Sequence, residues 1–147
     1  MSVVLAADAR SYIDGLTSFR AGDLDGWCGS FAAALTVAGA RATDLGRDLG
    51  GLRESWLERA GKPSVRSTAH RIIDGLPGHP IASVESASGL LGVSDEAARV
   101  ALNRLERTGV LRLVTVGKRN RAWAATEVFE LLDEFDASVG VRTRSTG

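Results

Sequence analysis

Apolar residues recur at spacings of three and four along much of the chain, and glycine and proline mark where that rhythm stops. Tyr12, Ile13, Leu16 and Phe19 define one face of a short helix from Asp8 to Phe19. Ala21-Gly22 closes it, because glycine takes the left-handed conformation that ends a helix at little cost. Asp23 stands where an N-cap belongs. From there Trp27, Phe31, Ala34, Leu35, Ala38, Ala42, Leu45, Leu49, Leu52 and Trp56 keep the helical period, which predicts one long helix with a single apolar stripe. Gly26, Gly29, Gly39, Gly46, Gly50 and Gly51 lie inside it, each costing up to about 1 kcal/mol against alanine. Propensity alone does not hold such a helix, so packing must. One three-turn neighbour is too short to cover the stripe, and a further partner is expected: a second copy, or a part of the protein not included in these residues.

Gly61-Lys62-Pro63 breaks the pattern and marks the expected boundary between a helical segment, 1–62, and a second domain, 63–137, followed by a flexible tail, 138–147. In the second domain Ser67 is positioned to cap a helix through Ile72, Ile73 and Leu76 that stops at Pro77-Gly78. Pro80, Ile81 and Val84 predict a short extended segment, and Glu85 to Leu91 a helix. After Gly92-Val93, Ser94 caps a further helix from Asp95 to Thr108 that ends at Gly109. Val110 to Val116 and Arg121 to Ala125 read as two strands around the turn residues Gly117-Lys118-Arg119-Asn120. A last helix, capped by Thr126, runs through Phe135. The fold class expected is therefore mainly α with a small β-hairpin, a short and a long helix followed by a winged helix-turn-helix domain. Leu90, Leu91 and Val93 are expected to face Ala98, Leu102 and Leu105 across the Gly92 turn, and Ala97, Ala98 and Ala101 to let the two helices cross closely.

Composition leaves the fold unchanged and narrows the function. Eighteen basic and eighteen acidic side chains give a net charge of zero, so the 147-residue chain as a whole does not advertise a polyanionic partner. The distribution is uneven. Between Arg99 and Arg121 lie Arg99, Arg104, Arg107, Arg112, Lys118, Arg119 and Arg121 against Glu106 alone, a net of +6 that leaves −6 for the rest. This window coincides with the expected recognition helix and wing, which in this plan meet the major groove and flanking phosphates. Arg99, Asn103 and Arg107 follow one another at i, i+4 and i+8 and share a face. Arginine pairs bidentately with guanine and asparagine with adenine, while Lys118, Arg119 and Arg121 on the wing are suited to phosphate. Arg104 and Arg112 are expected either to pair with Glu106 or to lie away from any groove, and Asp95 and Glu96 in the first helical turn complement the helix dipole but repel phosphate.

Other chemistry is sparse. Cys28, beside Trp27, reads as a small buried residue, and with only His70 and His79 there is no cluster at zinc-ligand spacing, so no metal or cofactor is expected. Asp23 and Asp25 read as a cap and a first-turn acid, Trp123 as a strand residue packed on the core, and the acids from Glu127 to Asp136 as the wet face of the last helix. Gly26 to Ala40 is charge-free but too short and glycine-broken to span a membrane, and Met1 to Ala7 lacks the basic and apolar regions of a signal peptide. A cytoplasmic protein with no membrane partner is expected.

Ser11-Tyr12-Ile13-Asp14-Gly15-Leu16, with Phe19-Arg20-Ala21-Gly22-Asp23 and then Trp27 and Phe31, resembles the helices that follow the catalytic loop in Fic-domain proteins. The long helix and winged helix, with Leu105-Glu106, Gly109-Val110-Leu111 and Gly117-Lys118-Arg119-Asn120-Arg121, are similar to the C-terminal region of bacterial members of that family. The family's adenylyl-transfer signature, His-Pro-Phe-x-Asp-Gly-Asn-Gly-Arg, has no counterpart here: His79-Pro80 is followed by Ile81-Ala82-Ser83, and His70 has no phosphate-cradling loop beside it. The resemblance thus implies a non-enzymatic piece of such a protein. Two functions are expected from it. One is a DNA-binding, transcription-regulator-like module that binds double-stranded DNA through Ser94, Arg99, Asn103, Arg107, Lys118, Arg119 and Arg121. The other is an interaction module that dimerises through the long helix or packs on a Fic catalytic core.

Overall fold

The computed structural model describes the backbone of residues 9–116 and 120–141 and the side chains of residues 12–114 and 121–137. The chain is mainly helical with one small antiparallel sheet. Its elements run α1 (Ala9–Arg20), α2 (Leu24–Arg59), α3 (Thr68–Gly75), β1 (Ile81–Ser83), α4 (Val84–Leu91), α5 (Asp95–Arg107), β2 (Arg112–Val116), β3 (Asn120–Ala124) and α6 (Thr126–Val141). They divide into two compact units, residues 1–47 with 132–147, and residues 48–131. The division falls inside α2 rather than at Gly61-Lys62-Pro63. The reason is Trp56 and Ala60, which are buried in the core of the second unit and make the last turns of the long helix part of it.

In the first unit α1 ends at Gly22 with φ +85°, and the Asp23 carboxylate accepts from the Gly26 amide at 2.9 Å, the cap expected from the sequence. Gly15 is buried at the crossing of α1 and α2, and a Cβ there would touch Trp27 and Ser30. Phe19 packs tilted against Trp27, and Trp27 stacks on Phe31, each pair with ring centroids 5.5 Å apart. The stripe of α2 is visible as a half-buried row, Trp27, Phe31, Ala34, Ala38, Leu45, Leu49 and Leu52, while Leu35 and Ala42 are exposed. Cys28 is exposed rather than buried, because Trp27 and Phe31 set the inward phase and Cys28 falls outside it.

The second unit is winged-helix-like. α3, α4 and α5 pack on one another, β2 and β3 form a hairpin, and β1 adds to its other edge to give the antiparallel order β1-β3-β2. Trp123 sits opposite both Ala82 of β1 and Leu113 of β2. The core holds Trp56, Ile73, Leu76, Ala98, Leu102, Leu105, Leu111, Trp123 and Val128. Local chemistry fixes the helix starts. Ser67 accepts from the His70 amide and Ser94 from the Ala97 amide, and Ser83 and Ser86 exchange bonds in a capping box that starts α4 at Val84, one residue before the expected Glu85.

Several expectations are corrected. Leu90 is exposed and Ala87 takes the inward place, with only Leu91 and Val93 packed against the core, because Ala87 and Leu91, one turn apart, set the inward phase of α4 and Leu90 falls beside it. β2 begins at Arg112 rather than Val110. The amides of Val110 and Leu111 both donate back to the Leu105 carbonyl at 2.9 and 3.1 Å, so neither is available to a sheet. Thr126 begins α6 instead of capping it from outside, and the helix continues past Ser138 to Val141.

Candidate nucleic-acid interface

α5 has one inward and one outward face. Ala98, Ala101, Leu102 and Leu105 are buried, and at 3.6 residues per turn Glu96, Val100, Asn103 and Arg107 lie opposite them. Arg99 flanks that outward face and is ion-paired with Glu96 one turn earlier, so its guanidinium is shared with an acid rather than left free. Asn103 is half-buried and Arg107 exposed, and neither side chain makes a hydrogen bond or ion pair with any described residue. The Ser94 hydroxyl is engaged as the cap, accepting from the Ala97 amide at 3.2 Å. Its proton remains available to an acceptor outside the helix.

The rest of the basic window is arranged differently from the sequence expectation. Arg104 does not pair with Glu106: its Nη2 donates to the Ala60 carbonyl at 2.7 Å, about 100° around the helix from Asn103. Glu106 instead accepts from the buried Trp123 indole at 2.7 Å, which pins the hairpin to α5. Arg121 lies 5.2 Å over the Trp123 ring and 4.0 Å from Glu106, a position between hairpin and helix. Arg112 adds its charge near Glu127. Lys118 and Arg119, expected at the tip of the wing, lie outside the described residues. The structure therefore brings Asn103 and Arg107 together on an open surface, with Arg99 beside them and half-neutralised.

Val100 is the residue that the pattern concealed. It is 56% exposed in the middle of this face, between Glu96 and Asn103. Its signal in the sequence is an aliphatic side chain out of phase with Ala98, Ala101, Leu102 and Leu105. On a groove-facing helix an exposed aliphatic group suits a thymine methyl.

Glu127 anchors the other side of the unit. It accepts from the Trp56 indole at 2.8 Å and from the Arg59 guanidinium. Burial pushes its carboxyl up, but the hydrogen bonds from Arg59 and Trp56 and the charges of Arg59 and Arg112 outweigh this and hold it below the ordinary glutamate value. His70 is buried, with Nδ1 3.0 Å from the Pro63 carbonyl, a contact that requires the proton on Nδ1. Its Nε2 faces Arg53 and Asp74, themselves an ion pair at 2.6 Å. Histidine here joins α2, the following loop and α3.

Among the described residues no group of three or more His, Cys, Asp or Glu is gathered as metal ligands, and no helix is long and apolar enough to cross a membrane. The sequence matches no protein-family model and no curated protein.

Proposed function

We propose that residues 48–131 are a non-enzymatic, transcription-regulator-like module that binds double-stranded DNA, with α5 in the major groove. The single observation that carries this reading is the outward face of α5, where Asn103 and Arg107 have no partner of their own among the described residues. The element order supports it: three packed helices, with a short strand after the first and a hairpin after the last, follow the order of winged helix-turn-helix domains, in which a helix and a wing meet DNA. Asn103 would read adenine, Arg107 guanine, and Arg99 would do so after exchanging Glu96 for a base or phosphate. Lys118 and Arg119 would hold phosphate from the wing, with Arg121 behind them and Ser94 donating to the backbone at the start of the helix. Asp95 and Glu96 repel phosphate, which favours contact through the middle and last turns of α5 rather than the first. Fluorescence anisotropy with a labelled duplex at two salt concentrations tests the reading. Binding should weaken steeply with salt and fall with Lys118→Glu combined with Arg119→Glu, whereas no binding at low salt would dismiss it.

A second reading is favoured by a different observation. Tyr12, Ile13, Phe19, Leu24, Leu35 and Val37 are all exposed in the helical segment. Such a concentration of apolar surface suits a protein partner: a second copy through α2, or a Fic catalytic core. Sedimentation at dilute concentration separates these, a stable monomer excluding the dimer.

A further inference from the structure

The two longest helices of the second unit end in the same way, and each end is completed by an arginine from the other. At the end of α2 the Gly61 amide donates to Glu58 and the Lys62 amide to Leu57, with Gly61 at φ +75°. At the end of α5 the Gly109 amide donates to Glu106 and the Val110 amide to Leu105, with Gly109 at φ +73°. Both are Schellman closures, which leave carbonyls at the helix terminus without an intrahelical donor. The Ala60 carbonyl receives Arg104 Nη2 from α5 at 2.7 Å, and the Gly109 carbonyl receives Arg59 Nη1 from α2 at 2.9 Å. Positive charge at a helix C-terminus is also favoured by the helix dipole. Arg59 is in turn held by Glu127, which also holds the fully buried Trp56.

We infer that Arg59 and Arg104 are positioning residues for the DNA-contacting helix: a reciprocal clasp that locks the C-terminal end of α5, and with it Asn103 and Arg107, to the end of α2. The inference rests on the DNA-binding reading of α5. It gives Arg104, which stands within the basic window, a role other than phosphate contact, and it gives Arg59, distant in sequence from that window, an effect on DNA affinity. Neither arginine touches DNA in this account. Both act by holding the backbone that carries the residues that do.

The test uses the full chain and a duplex enriched from a randomised pool on the wild-type protein, with a scrambled duplex for comparison. Arg59→Met and Arg104→Met keep the apolar stem and remove the donors. Each should bind the enriched duplex roughly five- to tenfold more weakly, a modest coupling, while binding the scrambled duplex as before. The slope of log affinity against log salt should stay unchanged, and Arg104→Lys, which keeps one donor, should recover part of the loss. Ile73→Val, a core truncation in α3 away from the clasp, should leave affinity intact at temperatures where it is folded. Amide exchange gives a readout independent of DNA: Arg104→Met should speed exchange at Gly61 and Lys62, and Arg59→Met at Gly109 and Val110. Wild-type affinity in both methionine variants would overturn the clasp, as would a salt slope reduced by about 0.9 in Arg104→Met, which would make Arg104 a phosphate contact. If the wild-type protein enriches no sequence, the DNA-binding reading itself fails and the positioning role falls with it.

Discussion

Replacing Glu127 probes the point where α2, α6 and the turn after α5 meet. Its Oε2 atom accepts both the Trp56 indole at 2.8 Å and the Arg59 guanidinium, and Trp56 has no exposed surface at all. Glu127→Ala leaves the indole N–H buried without an acceptor, which costs about 1–3 kcal/mol. The ion pair adds less, because about a third of each side chain remains in solvent, and such pairs contribute roughly 0–1 kcal/mol. Together they predict a loss of about 2–3 kcal/mol for Glu127→Ala. Glu127→Gln keeps a carbonyl oxygen for Trp56 and should lose only about 1 kcal/mol, the difference between a charged and a neutral acceptor. Urea denaturation followed by tryptophan emission measures both, since Trp56 and Trp123 are buried in the unit concerned. Equal losses for the two variants would refute the reasoning, because the indole bond would then contribute nothing beyond the charge. Losses within about 0.5 kcal/mol of zero for both would refute it as well, that being the range of a neutral surface change.

The same carboxylate sets an acid limb. A glutamate whose folded value lies below its unfolded one contributes stability that is fully present above about pH 4.3 and is lost as pH falls through the folded value, so wild-type stability should decline below that point and Glu127→Gln should decline less steeply in the same titration. Ser94→Ala removes the acceptor for the Ala97 amide and should cost about 1 kcal/mol in urea denaturation, with Asp95 and Glu96 remaining to favour the helix start. Gly109→Ala places a side chain at φ +73° and should cost about 1–2 kcal/mol, whereas Gly46→Ala, inside α2 where a Cβ meets nothing, should stabilise by up to about 1 kcal/mol.

What the sequence makes legible follows the range of the interaction. The caps at Asp23, Ser67 and Ser94 each involve an amide three residues away, and all three can be placed from the sequence. The helix, strand, helix, helix, hairpin order is legible for the same reason, as is the buried Trp123. Phase errors begin where a pattern has more than one solution: Leu90 and Cys28 look inward by composition and are left outside the inward phase set by Ala87 with Leu91 and by the Trp27–Phe31 stack. The contacts that shape the candidate interface are least legible. Arg104 to Ala60, Arg59 to Gly109 and Trp56 to Glu127 join residues 44, 50 and 71 positions apart, and no periodicity encodes them. A count of charges does not by itself distinguish the basic residues of this window, whereas among the described residues the fold gives Arg99 an acid, Arg104 a carbonyl and Arg121 an aromatic face, and leaves Arg107 without a partner.

The central claim is that the outward face of α5 contacts DNA. A titration of the isotopically labelled full chain with an unlabelled duplex, followed by NMR chemical shifts, tests it residue by residue. The largest changes should fall on Arg99, Val100, Asn103 and Arg107, with the side-chain amide of Asn103 among them, and should shrink as salt is raised. Changes concentrated instead on the exposed apolar residues between Tyr12 and Val37, with α5 unmoved, would contradict it.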